Sequence, residues 1–347
     1  MTEPARGPRS LVRGPWSRDR VRLWLRLLIG LAVSLVSLVV VFQGTDLDDV
    51  RSTLGRTNPI WLAPAVIALA ITIIVKAARW GLLFRPHYRP GLRPLTSGIL
   101  IGQMVNNALP VRLGEVARIQ YLAEATGVPR TYSLGTIALE KALDSVSLLG
   151  LFIVVVPFAL LPEWVRRSGL LATAGLAVVL IGAILVVRRR ATLRALADWL
   201  VGRVPALSRI TESRRVVTIL RSLDVLGDAG LLVRALAYSA LALVAGAVLN
   251  ATVLLALGLD LASLVPASLF VLLLGYLGGA VPASPGRIGI FQAVTVLSLA
   301  PFAIGRTDAL SFSLILYAIA IVLPTLAGVI VVLASPRFKV SGPPADD

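Results

Sequence analysis

The chain of 347 residues contains no cysteine, which excludes disulfides, thiolate metal sites and thiol catalysis. Its single histidine, His87, rules out a multi-histidine metal centre. Lysine occurs only at Lys76, Lys141 and Lys339, and arginine supplies the rest of the 34 cationic side chains. That skew reads as genome bias except where a site gives it meaning. Acidic residues number 18, leaving a formal net charge of +16. The excess does not indicate nucleic-acid binding, because the arginines lie between apolar runs and follow no nucleic-acid motif. What the chain has in abundance is apolar sequence. Hydrophobic residues make up 57% of it and the mean hydropathy is +0.86, which places it among integral membrane proteins.

Apolar runs of spanning length occur at 23–43, 59–84, 131–161, 169–187, 231–258, 262–281, 288–304 and 309–334. A ninth stretch, 95–110, "LTSGILIGQMVNNALP", is short and polar at its end. The N-terminus (residues 1–22) is basic and runs into the first apolar segment without a small-residue cleavage site, the pattern of a retained signal anchor. Arginines at 6, 9, 13, 18, 20 and 22, at 85, 89 and 93, across 188–230, and Arg337 with Lys339 put those loops and both termini on the cytoplasmic side of the cell membrane. The first loop, "GTDLDDV", is acidic and external. An even number of crossings then separates the second span from 188–230, so 95–110 is expected to dip in and return. The fold class expected is an all-α polytopic membrane protein of about eight transmembrane helices with at least one re-entrant segment. The transmembrane domain occupies 23–335. Within it, 188–230 reads as two amphipathic helices on the inner leaflet, broken near Pro205, or as a solvated basic linker. The tail, 336–347, is expected to be disordered.

Ionisable groups inside a bilayer are costly, so three clusters stand out. In "NNALPVRLGEVAR", Asn106 and Asn107 precede a turn at Pro110, after which Arg112, Glu115 and Arg118 follow at steps of three. A polar turn of that kind suits a phosphate or a carboxylate, or equally an interfacial helix whose charges face water. In "LEKALD", Glu140 and Asp144 stand four apart on one helix face beside Lys141. Two like charges so placed need a cation, and Arg112, Arg118, Arg79 and Lys76 are the candidates. In "PASPGRIGIFQ", Pro285, Gly286 and Arg287 interrupt apolar sequence ahead of Gln292, as in the broken helices of transport sites. A tight loop between spans is the plainer reading. Pro110 to Gly114 also matches Pro285 to Gly289, as two halves of an inverted internal repeat would.

These three motifs, in this order, resemble the lysylphosphatidylglycerol synthase transmembrane family, a flippase-like membrane domain, over roughly residues 20 to 335. The resemblance implies a multi-helix domain that moves a lipid between leaflets. It carries Asn107, Arg112, Glu115, Arg118, Glu140, Lys141 and Asp144 over as family polar positions. Arg287 stands where glycine or tyrosine is common in the family and Gln292 where some members have glutamate, which leaves the headgroup open. No soluble synthase domain follows Ala334, so aminoacyl transfer is not expected, nor is a cofactor or a metal.

The function expected is lipid translocation. Arg112, Arg118 and Arg287 would hold a lipid phosphate, while Glu115, Glu140 and Asp144 would balance them or hold a cationic group. The lipid is an anionic or aminoacylated phospholipid, or one linked through polyprenyl phosphate. Replacing Glu140 by Gln is expected to stop transport with little loss of folding. A rival is a membrane glycosyltransferase using a polyprenyl-phosphate sugar, with Asp46, Asp48 and Asp49 as base or metal ligands; helix capping explains the same acids. A third reading is an anchoring subunit for a separate synthase or glycosyltransferase.

Overall fold

Many of the buried residues of the two most extensively paired helices are small: Ala65, Ala68 and Ala77 on one, and Ala235, Ser239, Ala242 and Ala245 on the other. Large residues of the first helix, Ile67, Ile71 and Ile74, point outward and are exposed. Small residues inside and large apolar residues outside are the reverse of a soluble bundle. They fit a lipid environment, where close backbone approach rather than apolar burial holds helices together.

The computed structural model describes residues 34–40, 43, 46–109, 113–155, 221–259, 262, 264–278 and 285–335, with 167, 171, 174, 175, 178 and 218. Among the described residues, ten α-helices have both ends defined, in order: α1 Leu47–Gly55, α2 Leu62–Leu83, α3 Leu92–Ala108, α4 Gly114–Thr126, α5 Arg130–Val155, α6 Ala229–Ala256, α7 Leu264–Gly278, α8 Ile290–Leu299, α9 Arg306–Tyr317 and α10 Leu323–Leu333. A π-helical turn, Ala318–Val322, joins the last two. Among the described residues, three stretches are long and apolar enough to cross a membrane: Pro59–Leu83, Ala229–Ala256 and Arg306–Leu333. The protein is thus an all-α membrane protein. Helix α5 is long but carries Glu140, Lys141 and Asp144, and α7 is apolar but has only 15 residues. The break near Pro205 and the tail lie outside the described residues, as do the N-terminal anchor apart from 34–40 and 43 and the span expected at 169–187 apart from 171, 174, 175 and 178.

The ninth stretch is a full helix, α3, folded back on α4 as a hairpin. Its arms cross where Gly102 meets Gly114: a Cβ on Gly114 would lie 2.1 Å from the Gly102 carbonyl oxygen. Helices α7 and α8 pack together as a second pair on either side of the proline-rich segment, and the turn Pro285–Arg287 touches α3. Each of the two matched glycines donates its N–H to a side-chain amide, Gly114 to a residue of the preceding helix and Gly289 to one of the following helix. Gly114 N–H donates to Asn106 Oδ1 at 2.7 Å, and Gly289 N–H donates to Gln292 Oε1 at 2.7 Å. Each starts the second helix of its pair at a point of close approach, Gly289 lying against the backbone of Ser34.

Gly114→Ala forces the α3–α4 crossing apart and is expected to destabilise the protein by about 2 kcal/mol, the usual order for overpacking. Gly150→Ala, whose Cβ meets open space, is expected to be neutral. Unfolding titrations in mixed micelles read both; equal stability of the two variants would contradict the crossing.

Candidate functional site

The carboxylates of α5 find their cations on two other helices. Arg118 of α4 grips Glu140 with both terminal nitrogens, at 3.1 and 2.7 Å, and its guanidinium lies 3.6 Å from the centroid of the Trp80 ring. Arg79 of α2 binds Asp144 at 2.6 Å, approaches Glu140 at 3.8 Å and donates to Ser239 Oγ on α6 at 2.9 Å. Arg79, Arg118 and Glu140 are buried. At the margin, Lys141 pairs with Glu115 at 3.0 Å. Two of the four cations proposed from sequence therefore answer the acidic pair.

The network binds α2, α4, α5 and α6 into one frame and balances its own charge. Buried ions of opposite sign offset each other's desolvation only in such close, bidentate geometry. Arg118 is consequently occupied by Glu140 and Trp80, and it holds a helix frame where a phosphate was expected to sit. The same geometry changes the expectation for Glu140, whose neutralisation leaves two buried guanidiniums short of a counter-charge.

Beside this frame lies a cavity of about 300 Å³. Its walls come from α2, α3, α6, α7, α8 and the α9–α10 stretch, with Arg287 of the proline-rich turn at one side. The polar groups on it, among the described residues, are Lys76, Gln103, Asn250, Tyr276, Arg287, Thr72 and Thr295, with no carboxylate among them. The Lys76 ammonium stands 5.6 Å from the centroid of the Tyr276 ring. Gln103 Oε1 is buried and has no hydrogen-bond partner among the described residues. Arg287 has φ of 57°, a left-handed conformation seldom taken by residues other than glycine and often found at functional sites.

Among the other residues singled out from sequence, Asn107 donates to Thr325 Oγ1 at 2.9 Å, joining α3 to α10. Asn106 and Gln292 cap Gly114 and Gly289. Gly286, with φ of 71°, gives its carbonyl to the Tyr317 hydroxyl at 2.8 Å, and Pro285 is exposed at the head of the same turn. Arg112 lies outside the described residues. Asp46 accepts from Asp48 N–H at 2.9 Å as N-cap of α1, with Asp48 and Asp49 in its first turn. That is the capping role, favourable to the helix dipole. Lys76 was legible only as a counter-charge, and Gln103, Asn250 and Tyr276 were not singled out. Their signal was a lysine in a lysine-poor chain and a glutamine inside apolar sequence.

The profile of the family described as the Lysylphosphatidylglycerol synthase TM region matches residues 27–328. The protein named Glycosyltransferase AglD, from Haloferax volcanii, is 24% identical over 314 residues, covering 82% of this chain and 50% of its own length. The UPF0104 membrane protein MJ1595 of Methanocaldococcus jannaschii is 25% identical over 118 residues, 33% of this chain and 35% of its own. The aligned stretches thus span about half the length of the first relative and about a third of the second.

Glu140→Gln is expected to lower stability by about 3 kcal/mol, the order found when one partner of a buried ion pair is removed. Adding Arg118→Met should recover part of that loss. Thermal unfolding of the single and double variants in detergent measures the coupling; purely additive losses would contradict the shared ion pair.

Proposed function

As the chain belongs to the Lysylphosphatidylglycerol synthase TM region family, we propose that it is a lipid translocase that passes a polar headgroup through the cavity at the meeting of its two helix pairs. The observation that carries this reading is the cavity itself: cations and hydrogen-bonding groups enclosed by helices that are apolar outside. Its volume, about 300 Å³, is at the small end of ligand sites and suits a headgroup, with the acyl chains left in the surrounding lipid. Lys76 stands seven residues before Leu83, hence about 10 Å along α2 from the end that leads to Arg85, Arg89 and Arg93. A headgroup drawn from that face reaches Lys76 early.

The frame and the cavity divide the work. Ion pairs among α2, α4 and α5 fix one wall, while the second helix pair, with Gly286, Arg287 and Gly289 all at positive φ, brings Arg287 to the other. Movement of that pair against the frame opens the cavity to one side and then the other, the behaviour of repeat-built transporters. The glycosyltransferase reading draws on the name of the Haloferax relative. Against it stands the capping geometry of Asp46, which accounts for the external acids without chemistry. An anchoring subunit would need the polar groups only for helix packing, a role that leaves Lys76 and Gln103 without purpose.

In proteoliposomes carrying fluorescent lipids and a membrane-impermeant quencher, the protein is expected to move headgroups. Lys76→Ala and Arg287→Ala should each cut the rate about tenfold or more, on the order of a lost charge-assisted hydrogen bond. The triple change of Asp46, Asp48 and Asp49 to Asn should leave it intact. Loss of function in the aspartate variant, with movement unaffected by Lys76→Ala, would favour the glycosyltransferase.

A further inference from the structure

The charged groups around the cavity are already engaged. Lys76 lies over the Tyr276 ring, bonds to its hydroxyl and stands in the field of Asp144, and Arg287 has an interaction of its own. Several neutral groups are not engaged. Gln103 on α3 makes no hydrogen bond at either end of its amide among the described residues, and its Oε1 is buried. Asn250 on α6 donates through Nδ2 to the Ser268 carbonyl at 3.0 Å, which leaves its Oδ1 an acceptor with no donor among the described residues. Thr295 on α8 is buried, and its hydroxyl likewise has no partner among them. All three side chains line the same cavity. Polar groups so enclosed are costly until something pairs with them.

Their chemistry says what that is. Two amide oxygens accept, while an amide nitrogen and a hydroxyl donate. A phosphodiester only accepts and an ammonium only donates, so either answers half of the set. A hydroxyl does both, and neighbouring hydroxyls match the C=O and N–H of one amide. We propose that the cavity recognises a lipid by a polyhydroxylated headgroup, a glycerol, inositol or sugar, and that Gln103, Asn250 and Thr295 select it by neutral hydrogen bonds. This rests on the translocase reading for its setting, but it concerns which headgroup is held and not whether it crosses.

The purified full-length chain in nanodiscs, with fluorescent phosphatidylglycerol as the bound probe, tests this by competition. Two lipids are each compared with an analogue of the same carbon skeleton that lacks the hydroxyls: phosphatidylglycerol with phosphatidylpropanol, and glucosyl-diacylglycerol with tetrahydropyranyl-diacylglycerol. In both pairs, one anionic and one neutral, the hydroxylated lipid is expected to displace the probe at about one tenth or less of the concentration its analogue needs. Gln103→Leu should narrow both gaps to about threefold or less. Thr295→Val, which keeps the shape of threonine, should narrow them too, so the reading survives if Gln103→Leu fails to fold. Equal displacement within either pair of the unaltered protein overturns the proposal, as do undiminished gaps in a folded variant. So does phosphatidylethanolamine competing as well as phosphatidylglycerol, which would make any donor sufficient. Equal displacement by free glucose or glycerol phosphate would make the ligand a soluble polyol and overturns it as well. Headgroup movement measured on the same preparations separates the two readings. Hydroxyl preference without movement removes the translocase and keeps the recognition, whereas movement without hydroxyl preference does the reverse.

Discussion

Glu140 is the fixed point of this protein. Its carboxylate accepts both terminal nitrogens of Arg118 and lies within reach of Arg79, so one acid on α5 ties α4 and α2 together. Arg79 then extends the tie to Asp144 and to Ser239 on α6. Helices in lipid gain little from burying apolar surface against one another, and a polar connection of this kind has no competing water to replace it. Removing any one member leaves a buried charge without its partner, so the four ions stand or fall together.

Neutralising the frame internally has a consequence for its neighbour. Asp144 and Glu140 are held closely by arginines, and Lys76 faces the cavity beside them together with Tyr276. The two helix pairs complete that cavity, one through Gln103 on α3 and the other through Arg287 in the turn before α8. Close glycine contacts and amide caps at Gly114 and Gly289 set where the second helix of each pair begins. The paired ions of the frame and the polar groups of the cavity thus occupy neighbouring but different parts of the bundle.

Much of the fold was legible in sequence because apolar length is so direct a signal in a membrane. The stretches expected at 59–84, 231–258 and 309–334 appear as Pro59–Leu83, Ala229–Ala256 and Arg306–Leu333. The like-charged Glu140 and Asp144, four residues apart, announced that a cation must face them, and two of the named candidates do. Which arginine meets which acid was not legible, since that choice belongs to the packing of α2, α4 and α5 and not to any local pattern. Asn106, Asn107 and Gln292 drew notice as polar residues among apolar ones, yet their partners are a glycine N–H, Thr325 and another glycine N–H. Polarity alone does not distinguish a residue that serves the backbone from one that awaits a ligand. The cavity draws on α2, α3 and the turn before α8, segments far apart in the chain, so only the folded arrangement shows Lys76, Gln103 and Arg287 as one wall.

The chain's lack of cysteine gives a direct test of whether the lipid headgroup passes through this cavity. Thr72→Cys puts a single thiol on the cavity wall, and headgroup movement in proteoliposomes is measured before and after that thiol is capped with a bulky maleimide. The account predicts that capping stops movement and that bound phosphatidylglycerol slows the capping. Movement that continues unchanged through a protein with its cavity filled would contradict it.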